Sequence, residues 1–287
     1  MDSSRDIRRR IKSIGSTAQI TRAMQMVAAS KMRKAQETAL AGRPFVWLIY
    51  RFQREATTAM REFHHPLVEV RPVRKRAVIL VAADKGLCGA LNNNLFRMAA
   101  QFDPVSTVFI TAGRKAAQFV AATRRQLIAE FAYGDSPTYA QARAIAAFAR
   151  DLFLKKEVDE VRVLATRFVN TLTQHPVSLE YLPVGEIKGI EIPGAERLEE
   201  SATSKETLFE PGPEAFLGYL LPHYLNIYIY QILLNAKASE QSARMVSMKN
   251  ATDNADNLID DLTLEYNKLR QANITKELLE IAGGEAA

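Results

Sequence analysis

The side chains best suited to chemistry fall in one short loop, Asp84-Lys85-Gly86-Leu87-Cys88-Gly89-Ala90-Leu91-Asn92-Asn93-Asn94. An apolar run precedes it and a helical stretch follows, and a glycine-containing turn between strand and helix is where backbone N–H groups often hold phosphates. The loop lacks G-x-G-x-x-G, and no G-x-x-x-x-G-K-[ST] occurs in the chain, so a tight turn or a surface for another protein is the better reading. Cys88 is the one cysteine, which excludes an intrachain disulfide and a zinc site built on several thiolates. His64, His65, His175 and His223 lie away from it, and the adjacent His64 and His65 lack metal-ligand spacing. No paired carboxylates, nucleophile elbow or H-E-x-x-H stands out. The expectation is a chain with no catalytic residues, no cofactor and no metal.

Two further stretches invite a functional reading. Arg8, Arg9, Arg10 and Lys12 form a basic run suited to phosphates, but no aromatic is interleaved before Phe45, which weakens a single-strand stacking role. Such a run equally suits an acidic arm of the same chain or an acidic protein collar. Ala215–Ala236 holds no Lys, Arg, Asp or Glu over 22 residues, long enough to cross a bilayer. Gly218, Pro222, His223, Asn226, Gln231 and Asn235, with tyrosines spread through the stretch, argue instead for a helix packed on a sheet or on another subunit.

These residues need elements to hold them. The chain has 287 residues, 47% hydrophobic and 24% charged, which excludes a mostly disordered protein and suggests two folding units. No positive-then-apolar leader precedes Arg5, which reads as a reducing, cytosolic setting. The net charge of +6 conceals a gradient: residues 1–76 carry 17 Lys and Arg against 6 acids, 77–205 carry 15 against 14, and 206–287 carry 6 against 12. From His223 to Ala282 there are 60 residues without Gly or Pro, enough for a helix of about 90 Å. Met248, Ala251, Ala255, Leu258, Leu262, Leu269 and Ala272 step by threes and fours, a narrow seam that needs a partner. Ile7, Ile11, Ile14 and Ala18, then Ile20, Met24, Val27 or Ala28, Met32, Ala35 and Ala39, supply one. Gly15 and the Gly42–Arg43–Pro44 break are expected to weaken or kink that first helix without having to end it.

The middle alternates. Arg76–Ala83 suits a doubly buried strand, Val108–Thr111 and Val161–Thr166 repeat its character, and Val177–Leu182 has alternating faces. Helical stretches at about 91–102, 114–124 and 138–155 lie between them. Residues 185–213, rich in Gly, Pro, Glu and Ser, read as a loop or a poorly ordered insertion. The expected fold is α/β: a long antiparallel two-helix coiled coil from the two termini, plus a central Rossmann-like domain with a mainly parallel sheet. The expected boundaries are 1–75 for the N-terminal arm, 76–209 for the central domain and 210–287 for the C-terminal arm, with the basic and acidic arms complementing each other across the seam.

Several segments resemble the gamma subunit of the rotary F-type ATP synthase, and the likeness covers nearly the whole chain. They are Arg5–Ile11 with Ile20–Ala29, the loop Asp84–Asn92 (DKGLCGALN), Ala238–Gln241 with Ala243–Val246, Asn250–Ala255, and Ile274–Ile281. The family usually continues the last of these with Gly-Ala, where this chain has Gly284-Glu285. The regulatory cysteine pair of the chloroplast branch has no counterpart, since Cys88 stands alone.

The resemblance implies a non-catalytic rotor shaft. It implies one copy per complex, set within three alpha and three beta subunits, with an epsilon subunit beside it and a membrane ring of c subunits below. The chain itself is then not transmembrane and binds no nucleic acid; it is peripheral, at the cytoplasmic face of the cell membrane. Carried over position by position, beta-subunit contacts fall on Arg8, Arg9, Lys12 and Met24, on Lys85 and Cys88 of the loop, and on Arg244, Arg270, Gln271, Thr275 and Glu277. Contacts with the c ring fall on Phe209 and Glu210, with Thr207 where the family often has Tyr. Two rival readings stay open on the residues alone: a coiled-coil nucleic-acid-binding protein and a small nucleotide-binding α/β enzyme.

Overall fold

The structure, a computed structural model of the chain, describes residues 4–42, 44, 48, 65–184 and 212–284. In chain order the elements are α1 (Ser4–Ala41), β1 (Arg76–Val81), α2 (Leu91–Ala100), β2 (Thr107–Ala112), α3 (Arg114–Ala122), β3 (Gln126–Phe131), α4 (Tyr139–Leu154), β4 (Glu160–Phe168), β5 (Gln174–Leu182) and α5 (Pro213–Gly284). They divide into two compact units, one of residues 1–28 with 244–287 and the other of residues 29–243.

The larger unit is built on a five-stranded sheet in the order β3-β2-β1-β4-β5. The first four strands are parallel and β5 closes the edge antiparallel to β4. β1 is central, so both of its faces are covered. Val78 and Leu80, with Phe109 of β2, pack against Leu95 and Ala99 of α2 and Ala116 and Val120 of α3. Ala77, Ile79 and Val81, with Val108 and Ile110 of β2, face Ala142, Ile145, Ala149 and Phe153 of α4 and Leu221, Leu225, Ile229 and Leu233 of α5. The period of two along β1 thus feeds two cores, which is why its sequence is apolar throughout rather than alternating.

Local signals set several boundaries. Thr138 and Gln141 form a reciprocal capping box at the start of α4. α3 and α4 end on Arg124 and Lys156, with φ of 52° and 59°. The next amide in each case reaches back to close the last turn, Arg125 N to Val120 O at 3.0 Å and Glu157 N to Leu152 O at 3.0 Å.

β3 is an element that the apolar runs did not mark. Its residues are half-exposed along an edge with a single partner strand, so the apolar content that betrays a central strand is missing. α5 also differs from expectation, beginning at Pro213 and running 72 residues through Gly218 and Pro222. An internal proline costs a helix about 3 kcal/mol, and burial of Leu221, Tyr224 and Leu225 on either side of Pro222 opposes that cost. The uncharged stretch Ala215–Ala236 therefore lies against the sheet. Among the described residues no helix is long and apolar enough to cross a membrane.

The smaller unit is the helix pair. Arg8 meets Tyr266, Gly15 faces Ile259, and the hydroxyls of Thr21 and Thr252 lie 2.7 Å apart, so α5 recedes as α1 advances and the pairing is antiparallel. α1 runs unbroken through Gly15. The seam is narrower than the spacing predicted. Ile7, Ala18, Thr21 and Ala28 are buried on α1, and Met248, Thr252 and Ala255 on α5. Ile20 (61% exposed), Val27 (53%) and Leu258 (47%) face outward, while Thr21 and Ala28 beside the first two are buried and Ile259 beside Leu258 faces Gly15. The expected charge complementarity shows in one cross-helix ion pair that involves described residues. Arg22 pairs with Asp256 at 2.8 Å, whereas Asp253, Asp260, Asp261 and Glu265 are exposed.

Candidate functional site

In a doubly wound sheet, ligands bind beyond the carboxyl ends of the strands, where the chain reverses its direction of travel across the sheet. Here that point lies between β1 and β4, since β1 leads outward to β2 and β3 before α4 carries the chain back to β4. The loop Asp84–Asn94 leaves β1 at this end. Asn92 Oδ1 accepts from Ala83 N at 3.2 Å, and its Nδ2 donates to Cys88 Sγ at 3.5 Å. Asp84 Oδ1 accepts from Arg114 N at 3.0 Å, at the start of α3. Leu87 and Gly89, with φ of 65° and 58°, turn the backbone into α2. The polar groups of the loop thus hold the loop itself, and Cys88 is 2% exposed.

The space beyond the strands is filled by α5. Ser239 Oγ donates to Thr166 O at 3.3 Å near the end of β4, and Ser242 Oγ to Thr171 O at 2.8 Å. Lys237 Nζ lies 5.5 Å from the centroid of the Tyr133 ring, and the Tyr133 hydroxyl donates to Ala82 O at 2.9 Å, just past β1. A helix of the chain itself therefore passes the end of the sheet where a nucleotide would be expected, which weighs against the nucleotide-enzyme reading.

Four charged side chains run through this region. Lys31 Nζ of α1 donates to Asp135 Oδ2 at 2.5 Å, and Lys237 Nζ lies 3.4 Å from Asp135 Oδ1. Lys237 Nζ also donates to Glu240 Oε2 at 3.0 Å. Lys237 is 1% and Glu240 2% exposed, while Lys31 and Asp135 are partly open to solvent. The hydrogen bond from Lys31 holds the Asp135 carboxyl below its ordinary range, against the opposing effect of partial burial, and the Lys237 charge acts in the same direction. Burial pushes the Tyr133 phenol well up, and the charges of Glu240, Asp84 and Cys88 add to that. None of these residues emerged as a site from the sequence. The available signal was Lys237, the first charge after 22 uncharged residues, with Glu240 one helical turn on.

The residues singled out from the sequence are dispersed. In the smaller unit Arg8 donates to the Tyr266 hydroxyl and stacks 5.3 Å from its ring centroid. Arg9 and Lys12 are exposed, and Met24 is half-buried beside the seam. Arg244 is buried at 8% exposure. Arg270, Gln271 and Thr275 are exposed, with Thr275 Oγ1 donating to Gln271 O at 2.9 Å. In the larger unit Lys85 is exposed and Cys88 faces inward. The Glu277 side chain and residues Thr207, Phe209 and Glu210 lie outside the described residues. Sequence reasoning also missed an outward apolar set on α1, Ile20, Met26 and Val27: it assigned Ile20, and Val27 or Ala28, to the seam and did not single out Met26. Among the described residues no group of three or more His, Cys, Asp or Glu is placed to hold a metal ion.

Comparison with known proteins agrees with this architecture. A family model described as ATP synthase matches residues 3–287. The chain is 46% identical over 297 residues to the ATP synthase gamma chain of Opitutus terrae, spanning 100% of this chain and 99% of that one. It is 42% identical over 295 residues to the gamma chain of Methylacidiphilum infernorum, with the same coverage. Among solved structures, the rotor of the Euglena gracilis mitochondrial ATP synthase in rotational state 1 superimposes with a TM-score of 0.66 at 18% identity, over 94% of this chain and 98% of that one. The central stalk and c ring of the Tetrahymena thermophila mitochondrial enzyme gives 0.59 at 23% identity, over 81% and 99%. At these identities the likeness speaks to the fold.

Proposed function

Since the chain belongs to the gamma-chain family of ATP synthase, we propose that it is the non-catalytic central-stalk rotor subunit of an F-type complex, coupling ion flow through a membrane ring to ATP synthesis or hydrolysis in the alpha-beta ring. The observation that carries this reading is the antiparallel helix pair of the smaller unit. A two-stranded rod has no threefold symmetry, so within a ring of three like catalytic sites it must touch each one differently. Unequal contact is what a shaft needs, because a partner can shift a conformational equilibrium only by its differential affinity for the two states.

The surface chemistry of the pair suits a turning contact. Ile20, Met26 and Val27 on α1 and Ile274, Leu278 and Leu279 on α5 are exposed. Apolar contact is non-directional, so such residues favour enclosure without fixing one rotational position. Exposed Arg9, Lys12, Arg270, Gln271 and Thr275 add polar contacts to the beta subunits at discrete points. Arg8, Met24, Arg244 and Glu277 complete the set on the two helices, and Arg8 is already stacked on Tyr266. On the larger unit Lys85 is the residue that meets an acidic segment of beta, and the buried Cys88 acts by shaping the loop. Thr207, Phe209 and Glu210 meet the c ring. The complex places the chain peripherally at the cytoplasmic face of the membrane, with epsilon beside it.

Reconstitution with the matching alpha and beta subunits tests this. ATPase activity is expected to depend on the chain's presence. Equal activity with and without it would defeat the reading.

A further inference from the structure

We propose that Lys31, Asp135, Lys237 and Glu240 form a torque clamp, a chain of alternating charges that fixes the rotational setting of the α1 and α5 segments of the larger unit on its sheet. The proposal rests on the rotor reading, since a clamp matters only where torque passes.

The four residues come from three separate pieces of chain. Lys31 belongs to α1, Asp135 to the segment between β3 and α4, and Lys237 and Glu240 to α5. The order is cation, anion, cation, anion, with contacts of 2.5, 3.4 and 3.0 Å, so the charges balance. The chain passes from a partly exposed end at Lys31 to an interior end at Glu240. Below it Lys237 faces the Tyr133 ring, and Tyr133 is bonded to Ala82 O at the end of β1. Ser239 and Ser242 fasten the same part of α5 to Thr166 and Thr171.

The apolar contacts of α5 with the sheet are extensive, but they set separation better than rotation, because the hydrophobic effect has no direction. Hydrogen-bonded charges do have direction, and a polar network that is satisfied in one geometry penalises others. A helix turned about its axis would carry Lys237 away from Asp135 and break the contact that ties this nearly inaccessible ammonium to the segment before α4. These four residues therefore resist twisting where the apolar interface yields.

The test uses the assembled synthase in sealed vesicles, reading ATP hydrolysis and ATP-driven ion pumping together. Lys237→Met alone removes the cation that contacts both Asp135 and Glu240 and is expected to lower assembly. The double variant Lys237→Met/Glu240→Gln removes both buried charges at similar volume and restores assembly. Lys31→Met, at the exposed end, assembles without help. In the double variant and in Lys31→Met the ratio of pumping to hydrolysis is expected to fall by about threefold or more. A purely structural role predicts that any variant that assembles also couples normally, so a wild-type ratio in both would overturn the clamp. If hydrolysis and pumping depend on the chain yet the ratio is unmoved, the clamp alone fails. If neither depends on the chain, the rotor reading fails and the clamp with it.

Discussion

Gly113 follows β2 with φ of 98°, and a Cβ at that position would stand 2.1 Å from Ala82 O. Both the backbone conformation and the approach of the neighbouring strand demand glycine there. Gly113→Ala is therefore expected to cost the full-length chain about 2–4 kcal/mol, read as a lower denaturant midpoint at unchanged slope. Glu160 is a second residue whose surroundings predict a measurable change. It bridges Arg76 and Arg162 at the amino end of β4, the latter at 2.5 Å. Burial raises its pKa, but the hydrogen bonds from Arg162 and Arg76 outweigh burial and hold the carboxyl below its ordinary value. The native state then binds fewer protons than the unfolded one, so the contribution is full above the ordinary glutamate value. It is lost as pH falls through that value and on through the lowered native one. Glu160→Gln should cost about 2 kcal/mol at neutral pH and flatten the loss of stability on acidification. An acid limb as steep as that of the wild type would contradict this. Neither residue is conspicuous in the sequence: a glycine after a strand is ordinary, and Glu160 acquires its partners only through the pairing of β1 with β4.

The long helices and the central strands were legible because their patterns are set by what covers them. β1 is apolar because both faces are buried, and α1 carries a stripe because one side meets α5. β3 was not legible, for two physical reasons. It is an edge strand with half-exposed residues, and the turn before it places Arg124 in the left-handed region where glycine would have announced the break. The seam was legible in period but not in detail. Thr21 and Thr252 are buried and hydrogen-bonded to each other, and a rule that seeks apolar residues passes over such a pair in favour of the neighbouring Ile20 and Ala251. Gly15 reads as a weak point, yet a Cβ there would lie 4.0 Å from Ile259 Cδ1, an ordinary contact. Gly15→Ala is accordingly expected to stabilise the helix pair by about 0.5–1 kcal/mol, seen as a raised melting temperature. A lowered one would mean that the helices approach more closely than this.

At the scale of the whole molecule, the charge gradient along the sequence takes on a different meaning. Arg22 of the basic end pairs with Asp256 of the acidic end, and Asp253, Asp260, Asp261 and Glu265 of α5 are exposed. An exposed ion pair of this kind contributes up to about 1 kcal/mol, too little to explain the segregation of charge as a stability device. The doubly wound sheet has likewise given up its ligand-binding end: the residues that would receive a nucleotide receive Lys237, Ser239 and Ser242 of the long helix instead. A fold that elsewhere binds cofactors serves here as a mount for a shaft. A rotor shaft must turn within its ring. A probe fixed to an exposed residue of the larger unit, with the alpha-beta ring held on a surface, should rotate in one direction and in threefold steps while ATP is hydrolysed. A probe that stays still while hydrolysis proceeds at the normal rate would contradict the account.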